Sequence, residues 1–526
     1  MARRKRLNLG SGRSSNPVVR TVIRTAVQNM QPLDRAASTV IGLLFAGIVL
    51  MLLLGSQALP QVRTFSWQDK AVSAEDIAFL VEFTQPVDPQ SVERNLEIVP
   101  ALPGKFSWAG RKMAYTLAVP APYGENYQLN LPAATALNGQ KGFEPFDVAF
   151  KTRDRIFAYI GVEAEERGRL VLYNMTTQEK TLLTEAEQRV MDFRSYPERD
   201  RILYSSTKTD EETASLPELY SVSTGLGMAV KAPSWQFWRS GEAAPAGTTQ
   251  KLLGSEKYQN LKFDLSPDGK VIVVQRIDLN QAADSGPWVI EEGKAPRKLE
   301  TGPSGDFRIA PDSLSLLLQQ GEGTAVIDLD DSATNVAESS EGLLDFLPDY
   351  GLALDVASDG SAAALVNFNQ DDPDKQYTQS LFWVSSRGEE KQLLETDGGV
   401  ISAQFSDDNE VLYCLINRVV PGEEYQVVPY LTAVNVKTGE ERELLELPPQ
   451  PEVTVSLSPD GLAILFDEAL VSDPNAENLK ETVERPTHRL WLMPLFGTLE
   501  ERLNGDPMAL PPTDLEISGR HPEWLP

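Results

Sequence analysis

Cysteine and histidine are nearly missing from these 526 residues: one of the former, Cys414, and two of the latter, His488 and His521. One thiol forms no internal disulfide and no Cys-x-x-Cys metal site, and two imidazoles are too few for a His-rich one. No G-x-S-x-G elbow of a serine hydrolase occurs. Gly10-Ser11-Gly12 lies in a basic tail rather than between a strand and a helix, and so fails as a phosphate loop. Positive charge is scarce beyond that tail. Residues 1–36 hold eight Lys/Arg and one acid, leaving 40 of the 48 basic and 75 of the 76 acidic residues elsewhere, a balance of −35. Such a body repels phosphate backbones, so nucleic acid is not an expected partner.

Apolar residues are concentrated near the start. Between Arg35 and Arg63 lie 27 uncharged residues, centred on TVIGLLFAGIVLMLLL at 39–54. About 20 apolar residues in a helix cross the hydrocarbon of a bilayer. The sequence therefore predicts a transmembrane helix over 37–59. The basic residues ahead of it put 1–36 in the cytoplasm and the rest outside the cell membrane, a single-pass arrangement. Ser56-Gln57-Ala58 resembles a signal-peptide cleavage site, the rival reading, but the region before the apolar run is too long for a usual signal peptide.

Residues 60–75 read as a polar linker containing Trp67. From 76 to 153, short alternating runs separated by Pro and Gly predict strands at 77–83, 96–100, 105–108, 113–117, 127–131 and 146–152, at β-sandwich spacing. FTQPVDPQSV (83–92), YGENYQLNLP (123–132), NGQ (138–140) and FKT (150–152) resemble the bacterial SbsA-type Ig-like domain. In that family a turn aspartate is usual; here Ala136-Leu137-Asn138-Gly139 has none. The resemblance implies a spacer or binding module.

Beyond residue 154 a phrase recurs. Ser-Pro-Asp-Gly is intact at 266–269 and 458–461, looser at Ala310-Pro311-Asp312-Ser313, Ala357-Ser358-Asp359-Gly360 and Ser406-Asp407-Asp408-Asn409, and poor at Tyr196-Pro197-Glu198. A truncated copy, Trp524-Leu525-Pro526, ends the chain. Spacings of 44 to 52 residues between most copies mark stacked or circular units. Units such as FDLSPDGKVIVVQRI (263–277) with PWVIEEG (287–293) resemble the TolB-like, WD40-like propeller repeat. Residues 155–183 look like later strands without an opening one, and 518–526 like an opening strand without the rest, so joining them closes a ring over 154–526. Seven anchors give seven blades, or six if Tyr196-Pro197-Glu198 is not an anchor.

Candidate chemistry is sparse, and no catalytic, cofactor or metal residue is assigned. His488 and His521 are expected to be structural or solvent-exposed, Cys414 a buried small hydrophobe, and the Asp-Gly turns structural. The acidic loops Asp371-Asp372-Pro373-Asp374 and Asp328-Asp330-Asp331 lack calcium-loop spacing and read as solvated. One insertion, 233–254, gathers Trp235, Phe237, Trp238 and Arg239, favoured interface anchors, in a polar loop. A second, at 472–486, reads as an acidic surface loop. The expectation is an all-β protein, an Ig-like β-sandwich plus a β-propeller behind a membrane helix. It would serve as an extracytoplasmic binding or scaffold protein for a protein or glycan, without catalysis of its own. The alternative is an envelope glycan hydrolase or lyase with carboxylates in the propeller channel.

Overall fold

The computed structural model describes residues 32–55, 59–137, 142–208, 215–226, 244–301, 304–329, 343–422, 426–450, 452–470 and 487–526. Residues 1–31 of the basic tail lie outside these, as do the turn at 138–140, Asp330, Asp331 and the insertion at 472–486. Pro32–Gly55 form one α-helix of 24 residues, on which Leu43, Phe45 and Met51 are exposed. Among the described residues no helix is long and apolar enough to cross a membrane. Positions 56–58 of the expected span lie outside the described residues.

The rest is an all-β fold with two short helices, Pro89–Asn95 and Leu499–Leu503, and it divides into two compact units. The smaller takes residues up to Thr64 with Glu82–Leu96 and Leu131–Phe146; the larger takes Phe65–Val81, Glu97–Asn130 and Asp147–Pro526. All six strands read between 77 and 152 form, within two four-stranded sheets. Alternation works as expected, because successive strand side chains point to opposite faces. In Ala78–Phe83, Phe79 and Val81 are buried while Leu80 is exposed. The two sheets meet through rings, Phe150 lying 5.9 Å from Phe65 and 5.3 Å from Trp67. The expected linker at 60–75 is a correction: it supplies the strands Val62–Phe65 and Ala71–Val72 and the buried Trp67. A two-residue strand has no periodicity to read, so the ring was the only sign.

From residue 156 the chain runs through successive four-stranded antiparallel sheets, five of them at 188–253, 258–298, 307–347, 352–396 and 400–446. A seven-stranded sheet joins the ends, with the last strand, Thr513–Trp524, between Ile156–Gly161 and Thr487–Pro494. One part of it pairs Ser518 with Arg489, the other Trp524 with Phe157. That strand therefore serves as the fourth strand of the unit begun at Val455–Leu457 and as the first of the unit continued by Ile156–Gly161. The partner changes between Ser518 and Gly519; Glu516, left-handed at φ 55°, bulges the part paired with Thr487–Pro494, and His521, at 52°, the part paired with Ile156–Gly161.

Seven four-stranded blades result, numbered from the one containing Ile156–Gly161. Seven buried apolar clusters link them in a cycle, each with side chains from two neighbouring blades. Ile156 and Tyr204 join the first two, and Phe157, Leu465, Leu490 and Trp524 join the seventh to the first. This is β-propeller packing. The poorest anchor, Tyr196-Pro197-Glu198, opens a complete blade.

The recurring turn is shaped by its own side chains. Ser266 Oγ accepts the Val271 N–H at 2.9 Å and donates to Asp268 Oδ1 at 2.7 Å; Ser458 does the same with Ala463 and Asp460 at 3.0 and 2.7 Å. The fourth residue is left-handed, at φ 73° in Gly269 and 67° in Gly461. Degraded copies keep that conformation without glycine, at Arg199 (62°), Ser313 (60°) and Asn409 (58°). A methyl added at Gly461 meets nothing nearer than Asp407 Oδ2 at 3.9 Å. Gly461→Ala is thus expected to cost backbone strain alone, about 1 kcal/mol, read as a lower urea midpoint.

Candidate functional site

At five of the seven boundaries the first strands of neighbouring blades lie against one another, which places them around the axis. Three residues before the anchor proline position, each first strand carries a polar side chain: Glu523, Arg194, Asp264, Arg308, Asp355, Gln404 and Ser456, from blade one to blade seven. These side chains hand hydrogen bonds around the ring. Glu523 accepts the N–H and O–H of Ser195 at 2.8 and 2.7 Å. Asp264 accepts the Ile309 N–H at 2.8 Å, Arg308 donates to Asp355 at 3.2 Å, and Asp355 accepts the Phe405 N–H at 2.9 Å. Gln404 accepts the Leu457 N–H at 2.8 Å, and Ser456 Oγ accepts that of Trp524 at 3.1 Å. Among the described residues, the second-to-third blade link alone lacks a direct bond; there the Arg194 charge acts on Asp264.

Titratable groups gather where the ring closes. Asp192 Oδ1 lies 3.0 Å from Arg194 Nη1 and 3.2 Å from His521 Nε2, and Glu523 Oε2 lies 3.7 Å from Arg194. Burial would push the Asp192 carboxyl up, but Arg194 and His521 outweigh it and hold it at about 2. Burial likewise opposes the Arg194 charge, and Asp192, Glu523 and Asp264 together raise its pKa above the ordinary value. At Asp467 burial wins and the pKa is raised. That carboxylate accepts N–H bonds from Thr454 at 2.6 Å and His521 at 3.0 Å, and His488 Nδ1 lies 3.7 Å away. Asp467, on the seventh blade, thereby holds the bend at His521 in the part of the closing strand that pairs with the first blade.

The His488 ring faces Asp467 and the His521 ring faces Asp192, while the His521 N–H donates to Asp467; both side chains are only partly exposed. Nothing in the sequence pairs residues 488 and 521 with 467. The seven ring positions did have a signal, since they recur at a constant offset from the anchor that the turn itself obscured. Cys414 is fully buried, and burial raises its thiol pKa, which keeps it protonated and unreactive. Trp235, Phe237, Trp238 and Arg239 lie outside the described residues.

The last intact turn also has a long-range contact. Asp460 Oδ2 accepts the Tyr123 N–H at 2.9 Å, Arg502 donates to the carbonyls of Pro120 and Asp460 at 2.8 and 2.7 Å, and Arg155 donates to that of Tyr123 at 2.9 Å. Asp460, expected only to shape its turn, also holds the segment around Tyr123. Asp460→Ala should leave the buried Tyr123 N–H unpaired and cost about 1–3 kcal/mol, measured by chemical unfolding.

In an antiparallel meander, loops joining second to third strands lie at the end opposite the first turns. There, at the boundary of the fourth and fifth blades, is a depression of about 460 Å³. Its lining includes Glu322, Asp349, Asn367, Phe368, Asn369, Gln370, Asp371, Asp372, Lys375, Phe382 and Gln392. Asp371 and Asp372 come from the acidic loop read as solvated, and both are exposed. Among the described residues, no group of three or more His, Cys, Asp or Glu is placed to hold a metal ion.

No protein family and no curated protein matches the chain. Solved structures similar to it include an oligogalacturonate lyase from Vibrio parahaemolyticus, at 13% identity over 60% of this chain and 88% of that one, with a TM-score of 0.41. TolB from Acinetobacter baumannii matches at 12% identity over 82% of this chain and 83% of that one, with a TM-score of 0.39. A TolB-like protein from Agrobacterium tumefaciens matches at 13% identity over 56% and 90%, with a TM-score of 0.35. At these scores the likenesses carry no functional argument.

Proposed function

We propose that this chain is a single-pass, membrane-anchored binding or scaffold protein that presents a closed seven-bladed propeller outside the cell membrane to a protein or glycan. The SbsA-type resemblance gives the sandwich the part of a spacer. The observation that carries this reading is the commitment of the axial carboxylates. Glu523, Asp264 and Asp355 each accept an N–H from the next blade, and Asp192 is held by Arg194 and His521. Each of these carboxylates commits part of its accepting capacity to holding the ring. The anchor and its orientation rest on the uncharged run between Arg35 and Arg63 and the basic residues before it. Loops on a rigid scaffold are suited to recognition.

Crosslinked pull-down from membranes with the intact protein tests this reading. Specific partners or glycan-bearing fragments should be recovered, and fewer of them with Trp235→Ala and Trp238→Ala. An unchanged partner list in the variants removes the aromatic loop; no enriched partner with the intact protein contradicts the platform. A second reading, glycan hydrolysis or elimination in the channel, draws on the convergence of Asp192, Arg194 and His521. Product release from envelope glycans that Asp192→Asn abolishes would establish it.

A further inference from the structure

We propose that the turn closing the first blade binds a small oxyanion, a carboxylate or phosphate group, among Arg199, Arg153 and Tyr123. The site goes beyond the platform reading and does not depend on it. A side chain at the fourth position of the recurring turn faces the turn of the preceding blade. Ser313, in the fourth blade, accepts the Asp268 N–H of the third at 3.1 Å, and a methyl added at Gly269 would meet Pro197 of the second at 3.0 Å. Arg199 holds this position in the second blade, left-handed at φ 62°, and so faces the end of the closing strand. It is only 8% exposed, its Nε is buried without a partner, and among the described residues its guanidinium forms no hydrogen bond or ion pair. A guanidinium buried to this extent is ordinarily paired, because an uncompensated charge out of water is costly.

A second buried donor lies within reach of its charge. Tyr123 is 3% exposed; its hydroxyl accepts the Ala74 N–H at 3.0 Å and, among the described residues, donates to nothing. Arg153 is the third donor, with Nη1 donating to the Pro526 carbonyl at 3.1 Å and, among the described residues, no carboxylate paired with it. Burial raises the Tyr123 pKa while Arg153 and Arg199 oppose it; burial, and then Arg153, lowers that of Arg199 to about 10. Two carboxylates act on these groups, and both are engaged elsewhere. Asp154 accepts the Asn174 amide at 3.0 Å, and Asp460 accepts the Tyr123 N–H at 2.9 Å. Donors and positive charge thus exceed acceptors at one place in a body whose balance is −35. A water would satisfy hydrogen bonds but leave the charge unbalanced, whereas an oxyanion supplies both lone pairs and charge to a guanidinium fork and a hydroxyl.

Isothermal titration of the full-length protein in detergent micelles, with sodium phosphate and with sodium acetate at matched ionic strength, tests the site. At least one anion should bind, and the tighter of the two names phosphate or carboxylate as the group the site takes. Arg199→Gln should weaken binding about tenfold or more, a loss of about 1.4 kcal/mol, and Arg153→Gln should weaken it several-fold. Arg201→Gln, on the same turn but stacked on Tyr196, should leave affinity unchanged. Urea unfolding separates a ligand-binding cation from a structural one. In chloride buffer Arg199→Gln should keep or raise the midpoint, because an unpaired buried charge holds nothing together. Added anion should then stabilise the intact protein and not the variant. Binding of neither anion, unchanged affinity in Arg199→Gln, an equal loss in Arg201→Gln, or a midpoint lowered by Arg199→Gln in chloride alone overturns the proposal.

Discussion

Replacing Trp524 with alanine should lower the unfolding free energy by about 3–5 kcal/mol, the range for a large buried aromatic. Its side chain is 7% exposed, packs edge-on against Phe157 at 5.7 Å and belongs to the cluster joining the seventh blade to the first. Its backbone N–H donates to Ser456, and its neighbour Leu525 is buried between the first two blades. The chain runs continuously through every blade boundary, and the ring is closed without a covalent link inside the first blade, where Thr513–Trp524 pairs with Ile156–Gly161. Weakening that closure releases the constraint that holds the cycle, so the urea midpoint should fall sharply. Tyr377→Ala, at an exposed loop, should stay within about 0.5 kcal/mol and serves as the control. A loss below about 1 kcal/mol for Trp524→Ala would mean that the ring does not depend on its closing strand.

Arg194→Ala should cost about 2–3 kcal/mol. Removing one partner of a buried pair costs more than this, but about a third of the Arg194 side chain reaches solvent, which reduces the effect. The loss arises because Asp192 and Glu523 keep their charges without their shared cation. A pH signature accompanies it. Asp192 is lowered from an ordinary 3.8 to about 2 in the fold, so its contribution is fully present above about pH 4 and is lost as pH falls through about 2. In the intact protein that contribution is at most about 2 kcal/mol. Without Arg194 the carboxyl returns toward its ordinary value, and the acid-side slope of stability between pH 5 and 2 should flatten. Urea unfolding across that range measures it, and an unchanged slope would show that Arg194 does not hold Asp192.

Repetition made much of the propeller legible. The Ser-Pro-Asp-Gly turn marks a first hairpin because its serine and aspartate satisfy local N–H groups and its fourth residue needs φ > 0. Arg199 and Asn409 show that the conformation outlives the glycine. The headless first unit and tailless last one were readable as two parts of one blade, because each lacked what the other had. Trp67 was not readable, since the strands beside it are too short to alternate. Nor was the gathering of Asp192, Arg194, Asp467, His488, His521 and Glu523. It depends on a strand that changes blades between Ser518 and Gly519, a tertiary event that leaves no local periodicity. The ring of polar side chains lay between these extremes, printed in the repeat at a fixed offset from the turn and silent as to its partners.

The most direct test of binding without catalysis compares capture and turnover in one preparation. Full-length protein, Asp192→Asn and Glu523→Gln would each be incubated with envelope glycans and membrane extract, and both crosslinked partners and newly released saccharide ends would be measured. The account predicts partner capture by the intact protein, no saccharide release above buffer, and variants that bind in proportion to their folded fraction. Saccharide release by the intact protein, abolished in either folded variant, would contradict it.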